Sequence, residues 1–341
     1  MKQPTPKTLG YRMPAEWEPQ EAVWLAWPHN EITWPGGMLA DVEGSYIEIV
    51  RALHTGQKIK LLVQDAESET RIGGELGRAG IALEPIVFVR MATEDAWIRD
   101  YGPTFVTNRN SRQLAMVKWI FNGWGNKYEL GDDRIPHEMN QTLHLPMFEA
   151  GIVLEGGSIE VNGAGAVLTT EQCLLNKNRN PHLSRSEIED YLKEYLNVRE
   201  VLWLKDGIAG DDTDGHVDDI ARFVNEETVV CAVEEDPSDE NYEILKENYE
   251  RLQAFNISVI PLPMPGYVGG TDARLPASYA NFYIGNGAVV VPVFGHRNDQ
   301  RALDIIRQCF PTRRVVGVHA TSMVYGLGTI HCCSQQEPRA F

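Results

Sequence analysis

Five polar residues stand at similar intervals along the chain, and together they could carry out covalent chemistry on a cation. They are separated by 55, 61, 65 and 51 residues and are, in order, Asp100, Glu155, His216, Asn281 and Cys332. A cysteine can attack as a nucleophile, a histidine can transfer protons, and carboxylates bind cations. If the chain is built from repeated units, one residue from each unit could meet the others at a common axis.

Cys332 is the candidate nucleophile. It lies in the segment GLGTIHCCSQQ (326–336), where two glycines permit a sharp turn. A free thiol has a pKa of about 8.5, so it needs a positive neighbour, either a protonated histidine or the cation of the substrate. The alternative is that Cys332 and its neighbour Cys333 are ordinary packing thiols. We favour Cys332 as the nucleophile and expect Cys333 to point elsewhere.

His216 is the candidate proton donor and acceptor. It lies in the acidic segment DDTDGHVDD (211–219). In an extended segment, alternate side chains share a face, so His216 and Asp218 would point the same way, with Asp214 joining them if the strand starts early. Nearby carboxylates raise the pKa of a histidine and keep it able to donate a proton. The alternative is a solvated acidic loop.

Asp100 and Glu155 are candidate ligands of a planar cation. Asp100 lies in WIRDYGP (97–103), where a carboxylate beside the Trp97 indole would suit a guanidinium. Glu155 lies between an apolar segment and two glycines, and such an acid is costly to bury unless it is paired. The alternatives are an ion pair between Arg99 and Asp100, and a turn acid at Glu155.

These residue types together predict hydrolysis of a guanidinium group. Carboxylates would fix the cation with its central carbon in front of Cys332, and the thiolate would form a tetrahedral adduct. His216 would give a proton to the leaving ammonia and then take one from the attacking water. We expect this chemistry to need no metal or organic cofactor.

Five repeated units must position these residues. Each consists of a strand, an amphipathic helix and a second strand, with the helices predicted at 41–53, 135–143, 184–196, 240–255 and 299–310. An extra strand precedes four of the units, at 104–106, 158–161, 220–224 and 279–284. Units of this ββαβ form bury their faces by closing into a ring. We predict an α/β fold of five such units around a pseudo-five-fold axis, with residues 1–341 as a single catalytic domain.

Composition limits the partners. The net charge is −17, which argues against nucleic acid and anionic membranes and fits a cationic substrate. The five cysteines show no repeated spacing, CxxC and HExxH motifs are absent, and so disulfides and a zinc site have little support. The first residues lack a signal-peptide core, and no run of 18 apolar residues occurs. We therefore expect a cytoplasmic protein with reduced thiols.

Several long segments resemble one family, the agmatine deiminases, within the guanidino-modifying enzymes. The segments are YRMPAEWEPQEAVWLAWPHNEITWPG, WIRDYGPTFV, FNGWGNKYE, LEGGSIEVNGAGAVLTTEQCLLNKNRNP, DTDGHVDDIARF, SYANFYIGNGAVVVPVFG and GTIHCCSQQEP. The resemblance implies the five-bladed α/β propeller, or pentein, and hydrolysis of agmatine to N-carbamoylputrescine and ammonia through an amidino-cysteine, a step of polyamine synthesis. It also implies a homodimer or higher homo-oligomer and no cofactor.

The same resemblance assigns roles to individual residues. It makes Cys332 the nucleophile and His216 the general acid and base. It makes Asp218 and Asp100 the acids that hold the guanidinium, and Glu155 the acid of the EGG motif.

It also implies three substrate-binding residues and shows two departures from the family pattern. Trp97 would line the pocket, Asn281 would lie near the site, and Asp212 would meet the distal amine. In the terminal motif the family often has glycine and asparagine where this chain has Leu327 and Thr329. We expect the leucine to alter the loop and the threonine to change a hydrogen bond near the substrate tail.

Two alternative functions remain open. A deiminase of C-terminal peptidyl-arginine or free arginine would need a cation for the substrate carboxylate. Arg99 and Arg222 are near the motifs but are expected to face away from the site. A binding protein of the same fold without catalysis would have no use for a thiol, a histidine and acids at equivalent places.

Overall fold

The computed structural model describes residues 4–269 and 273–340. In these ranges the chain forms sixteen strands in five separate sheets. The strands are β1 (Gln20–Ala26), β2 (Lys58–Val63), β3 (Ile86–Arg90), β4 (Thr104–Asn108), β5 (Gln113–Ile120), β6 (Met147–Val153), β7 (Glu160–Val161), β8 (Ala166–Thr170), β9 (Glu200–Leu204), β10 (Ala221–Asn225), β11 (Thr228–Val233), β12 (Ser258–Pro263), β13 (Tyr283–Ile284), β14 (Ala288–Val293), β15 (Arg314–His319) and β16 (Ser334–Pro338).

Four of the sheets repeat one topology. Their strand orders are β4-β5-β6, β7-β8-β9, β10-β11-β12 and β13-β14-β15. In each sheet the first strand is antiparallel to the second, and the second is parallel to the third. A parallel pair needs a crossover, which a helix supplies. The repeated ββαβ units confirm the predicted five-bladed α/β propeller.

Helices cover one face of the sheets. The longer ones are Met38–Leu53, Ala66–Arg78, Ile135–Leu143, Arg185–Leu196, Asn241–Ala254 and Asp299–Cys309. Each buries an apolar stripe against its sheet, as Ile188, Leu192 and Leu196 do on one helix. The middle strands are buried on both faces, and all six residues of β14 are buried. Within the described ranges, no helix has the length and apolar character needed to cross a bilayer.

The two ends of the described chain meet in the first sheet, whose order is β16-β1-β2-β3. β16 pairs antiparallel with β1, so that Ser334 lies opposite Leu25. This strand was not predicted, because its sequence SQQEP has no apolar alternation. It supplies the first unit with the extra strand that the other four units carry in sequence order. The segment that ends with Cys332 is therefore anchored by the sheet that closes the ring.

Four further local features differ from the sequence prediction. The inner strands at 158–161 and 279–284 shorten to β7 and β13, because turns occupy the preceding residues, including the 3-10 turn Gly156–Ser158. The helix Ala66–Arg78 was not predicted; its three glycines, Gly73, Gly74 and Gly77, lower its helix propensity. Strand β3, which extends the first sheet, was also not predicted.

Candidate active site

The turns that precede the five inner strands come together, as the spacing of the polar residues predicts. The Arg99 N–H donates to the Cys332 carbonyl at 3.1 Å, and the His331 N–H donates to the Asn281 carbonyl at 3.1 Å. The Gly157 N–H donates to Asp100 Oδ1 at 3.0 Å. Backbone bonds between turns of different blades thus fix the relative positions of the candidate residues.

The Cys332 thiol lies among acids. Its Sγ is 3.2 Å from Asn281 Nδ2 and 3.9 Å from Asp218 Oδ2. Burial raises the pKa of Cys332 well above its ordinary value, and the carboxylates of Asp218, Asp219 and Asp100 raise it further. The free site therefore holds a thiol at neutral pH, and a cation must arrive before the thiolate is favoured.

Cys333 points elsewhere, as predicted. Its thiol contacts the Ile330 carbonyl at 3.3 Å and is fully buried in the core. Burial raises the pKa of Cys333 to about 12, although the nearby Tyr46 hydroxyl lowers it in part. Cys333 is a packing thiol.

His216 lies between two carboxylates. Its Nδ1 is 3.6 Å from Asp100 Oδ1, and its Nε2 is 3.9 Å from Glu155 Oε2. Neither nitrogen has a hydrogen-bond partner among the described residues, although the ring is buried. Burial alone lowers the pKa of His216, but Asp100, with Cys173 and Glu155, outweighs burial, and the pKa is well above its ordinary value. The ring is an imidazolium that can donate protons.

His216 and Asp218 meet by a different route from the one predicted. Val217–Asp219 is a 3-10 turn, so the two residues do not alternate along a strand. Instead both face the backbone of Gly157. A Cβ there would lie 2.6 Å from His216 Nδ1, 2.9 Å from Asp100 Oδ1 and 3.1 Å from Asp218 Oδ2. The second glycine of the EGG motif is required because three functional side chains converge on it.

Asp218 keeps one oxygen without a partner. Its Oδ2 accepts a hydrogen bond from His331 Nδ1 at 2.7 Å, whereas the buried Oδ1 has none among the described residues. Burial raises the pKa of Asp218, but the hydrogen bond and charge of His331, together with the charges of His216 and Arg222, outweigh it, and the net shift is downward. A buried, ionised oxygen without a donor is rare in folded proteins and marks a position where a water or a ligand can bind.

His331 connects Asp218 to Glu16 in the N-terminal segment. Its Nε2 is 2.8 Å from Glu16 Oε2, and Glu16 also pairs with Arg222 at 3.1 Å and Arg99 at 3.3 Å. The two arginines face this buried network and do not line the cavity, as expected. His331 and Glu16 were not predicted from the sequence. His331 was visible beside Cys332, but Glu16 lies outside the five-fold spacing.

Asp100 is held by an unusual turn. Its Oδ2 accepts from Trp124 Nε1 at 2.9 Å. Trp124 lies in the turn Gly123–Asn126, where it and its neighbours have positive φ angles, 53° at Trp124 itself. A tryptophan in the left-handed region costs about 1 kcal/mol, and such strain persists at functional sites. Trp124 was given no role from the sequence, because an isolated GWG segment does not reveal where its indole points.

Glu155 belongs to a buried ion pair behind His216. Arg179 Nε is 3.1 Å from Glu155 Oε1, and Cys173 Sγ is 4.0 Å from Glu155 Oε2. Burial raises the pKa of Glu155, but His216 and Arg179 outweigh it and lower the pKa overall. The ligand atoms of Glu155, Cys173 and His216 all lie within 4.8 Å of one another and could hold a metal ion, which the sequence did not suggest. The Arg179 guanidinium already neutralises this carboxylate.

A cavity of about 420 Å³ leads from Cys332 to the surface. Its wall contains four acids and, among the described residues, no lysine, arginine or histidine. The acids are Asp95, Asp100, Glu129 and Asp212. The rest is largely aromatic and aliphatic, so the cavity suits a cation with an apolar stem.

Trp97 lines this cavity, as predicted. It packs against Trp34 with ring centroids 5.4 Å apart. A Cβ at Gly328 would lie 2.7 Å from the Trp97 ring, so glycine is needed there for close packing. Leu327, next to it, lines the cavity and has φ 70°, a left-handed conformation that favours glycine. The alteration of the loop relative to the family stays a prediction.

Asp212 lies at the rim and already has partners. Its Oδ2 accepts from the Tyr128 hydroxyl at 2.6 Å, and Lys127 Nζ is 3.2 Å from its Oδ1. Lys127 also pairs with Asp214 at 2.9 Å. Asp214 binds Arg179 as well and does not join His216, contrary to the expectation from an extended segment. The position of Lys127 near the rim was not predicted.

Asn281 reaches the thiol but does not line the cavity. Its carboxamide lies behind Cys332 and is fully buried. The predicted position near the site is correct, whereas contact with substrate stays a prediction.

The comparisons with known proteins agree with this geometry. Residues 12–338 match the model of the Porphyromonas-type peptidyl-arginine deiminase family. The chain is 36% identical to the agmatine deiminase of Pseudomonas syringae pv. tomato over 99% of this chain and 98% of that protein. The agmatine deiminase structure from Enterococcus faecalis is 35% identical, with a TM-score of 0.92 over 100% and 99% of the chains. A substrate-bound cysteine-to-serine variant of the C. jejuni agmatine deiminase is 30% identical, with a TM-score of 0.90 over 97% of each chain.

Proposed function

Because this chain belongs to the Porphyromonas-type peptidyl-arginine deiminase family, we propose that it is an agmatine deiminase that hydrolyses agmatine to N-carbamoylputrescine and ammonia. One observation carries the proposal. Beside the Cys332 thiol, Asp218 Oδ1 and both nitrogens of His216 are buried without hydrogen-bond partners among the described residues. The cavity in front of Cys332 has acids as its charged lining; Cys332 and Asp100 line it, whereas His216 and Asp218 are not among its lining residues. A guanidinium supplies both the donors and the positive charge that this arrangement calls for.

The guanidinium is held by two carboxylates. Asp218 Oδ1 and Asp100 accept its N–H groups, while Trp97 forms the aromatic wall beside the planar cation. Each oxygen of Asp100 already accepts one hydrogen bond, which fixes the carboxylate but leaves further lone pairs. This places the central carbon in front of Cys332 Sγ.

Binding of the cation ionises the thiol. Two of the carboxylates that raise the pKa of Cys332, Asp218 and Asp100, are the ones that the guanidinium neutralises. The thiol proton is released to solvent as the substrate binds, and the thiolate forms next to the carbon it attacks. In the free enzyme His216 is the imidazolium and Cys332 the thiol, so the protonated partner needed later is already present.

The first half-reaction removes ammonia. The thiolate forms a C–S bond to the guanidinium carbon and gives a neutral tetrahedral adduct. His216 donates its proton to one nitrogen, the C–N bond breaks, and ammonia leaves with the bonding pair. A cationic amidino-thioether on Cys332 remains, and His216 is neutral. Proton donation of this kind contributes about 10²–10⁴-fold to the rate.

The second half-reaction uses water. Neutral His216 takes a proton from water while the oxygen attacks the amidino carbon. The second tetrahedral adduct collapses, the C–S bond breaks, and the hydroxyl proton passes to the departing sulfur. The products are the substituted urea and the starting thiol and imidazolium. Glu155 supports this step by holding the charged form of His216 from behind.

The rim selects the other end of the substrate. Asp212 is the acid proposed to meet the distal amine, and the aromatic and aliphatic wall suits the methylene chain. A substrate with a carboxylate would need a free cation, whereas Lys127 is paired with Asp212 and Asp214. This pairing favours agmatine over arginine and peptidyl-arginine.

The remaining proposals concern the whole protein. We regard residues 1–341 as one catalytic domain that works as a homodimer or larger homo-oligomer in the cytoplasm. The support for these points is the family resemblance, and sedimentation of the purified protein would measure the assembly.

A substrate panel tests the function. Agmatine, free arginine and a peptide ending in arginine would be compared by ammonia release and by detection of the ureido product. We expect agmatine to have the highest kcat/KM by at least about tenfold. Faster turnover of either arginine substrate would assign the chain to the alternative activity, and no release from any of them would overturn the deiminase proposal.

A further inference from the structure

The carboxamide of Asn281 is held in one orientation. Three O–H and N–H donors bond to its Oδ1: the Thr329 hydroxyl at 2.7 Å, the His331 N–H at 3.0 Å and the Cys332 N–H at 3.4 Å. The Cys332 Sγ also lies 3.5 Å from this oxygen, farther than it lies from the amide nitrogen. Backbone N–H groups only donate, so the amide atom that faces them must be the oxygen. The amide nitrogen is thereby directed to Cys332 Sγ, 3.2 Å away.

The Thr329 hydroxyl is the donor to Asn281 Oδ1 that a substitution can remove without changing the backbone or the nucleophile. Thr329 is buried and does not line the cavity. Its hydroxyl makes the shortest of the three bonds to Asn281 Oδ1. The position is one of the two at which the sequence departs from its family pattern, and an effect near the substrate tail was expected. The structure places Thr329 at the nucleophile instead.

We propose that Thr329 is a positioning residue for the nucleophile, acting through Asn281. Its hydroxyl turns the Asn281 amide so that an N–H donates to the sulfur of Cys332 and stabilises the thiolate. The inference rests on the proposed function only in taking Cys332 as the nucleophile.

The charges around the sulfur make such a donor important. Asp218, Asp219 and Asp100 are the acids that face the thiol, and the negative charge of each opposes its ionisation. The backbone N–H of Thr329 also bonds to the sulfur, and this bond lowers the pKa of Cys332. A hydrogen bond to a charged atom is roughly twice as strong as one between neutral groups, so it favours the thiolate over the thiol.

The test is the alkylation rate of Cys332 as a function of pH. Iodoacetamide is small and neutral, and mass spectrometry would locate the adduct on Cys332. In Thr329→Val the hydroxyl is lost at nearly constant shape. We expect alkylation at neutral pH to slow about tenfold, with the pH midpoint about one unit higher. Thr329→Ser keeps the hydroxyl and should match the wild type.

A second variant keeps the test decisive if Thr329→Val folds poorly. Asn281→Leu removes the donor itself and should slow alkylation by more than Thr329→Val does. Unchanged pH midpoints in both variants would overturn the proposal. Slower turnover with an unchanged midpoint would also do so, since a purely structural role predicts that result. The assay needs no agmatine, so its outcome is separate from that of the substrate panel.

Discussion

The buried residues around the Cys332 thiol, here called the floor of the site, and the rim of the cavity use the same residue types in opposite ways. On the floor, Asp218 is fully buried and His216 is 1% exposed, and both keep atoms without partners among the described residues. On the rim, the Asp212 side chain is 35% exposed and is already bound by Lys127 and Tyr128. Buried unpaired groups contribute strongly when a ligand arrives, whereas exposed pairs contribute little. In the proposed function, the floor therefore determines the chemistry, and the rim tunes which substrate reaches it.

Cys332→Ala should have the largest effect. It removes the sulfur that forms the covalent intermediate, so ammonia release from agmatine should fall by at least about 10⁴-fold with the fold intact. The neighbouring Cys333→Ala is the matched control and should keep activity, at some cost in stability from the cavity it leaves. Turnover near the wild-type rate in Cys332→Ala would show that Cys332 is not the nucleophile.

Gly157→Ala tests whether the floor depends on close convergence. The added methyl would displace His216, Asp100 or Asp218, each within 3.1 Å of it. A shift of about 1 Å in a catalytic group can cost about 100-fold, and we expect a loss of that order in kcat. Gly77→Ala, where nothing lies within 4 Å, should leave activity unchanged. Equal activity in both variants would show that the floor is not tightly packed.

Asp218→Asn should separate substrate binding from thiol ionisation. After burial, the Asp218 charge is the largest cause of the raised pKa of Cys332. Its removal lowers that pKa, so alkylation of Cys332 at neutral pH should speed up about tenfold. Agmatine turnover should fall at the same time, because the guanidinium loses a carboxylate. If both rates fell together, the acids would not be what holds the thiol protonated.

Asp212→Asn should have the smallest effect. The exposed charge is partly neutralised by Lys127, so KM for agmatine should rise by only about fivefold, with kcat nearly unchanged. Butylguanidine, which lacks the distal amine, should show no difference between wild type and variant. An equal rise in KM for both substrates would exclude Asp212 as the partner of the amine.

The fold was largely predictable because its signals are local and repeated. Five helices with apolar stripes, each between two β-branched strands, indicate ββαβ units from the order of the residues alone. Strand β16 was not predictable, because its residues are polar and show no apolar pattern. Once buried, they form hydrogen bonds with groups that are distant in the sequence. Gln335, for example, donates to the Pro103 carbonyl at 2.7 Å.

The site residues that lie in a recognisable motif and also recur once in each repeated unit were predictable. Asp100, Glu155, His216, Asn281 and Cys332 precede successive inner strands, and the ring brings those turns together. Sequence could not reveal Glu16 or Trp124. Their roles depend on contacts across the ring or on a left-handed turn, and neither leaves a periodic signal.

The pairing of β16 with β1 has a consequence for how activity is lost. All five residues of β16 are buried, and Glu337 on this strand accepts from Trp24 and Lys60. A segment held in this way exchanges its amide hydrogens with solvent only when a large cooperative part of the molecule opens. Cys332 lies two residues before it. On heating, inactivation and global unfolding should therefore share one transition, with no inactive folded state preceding it.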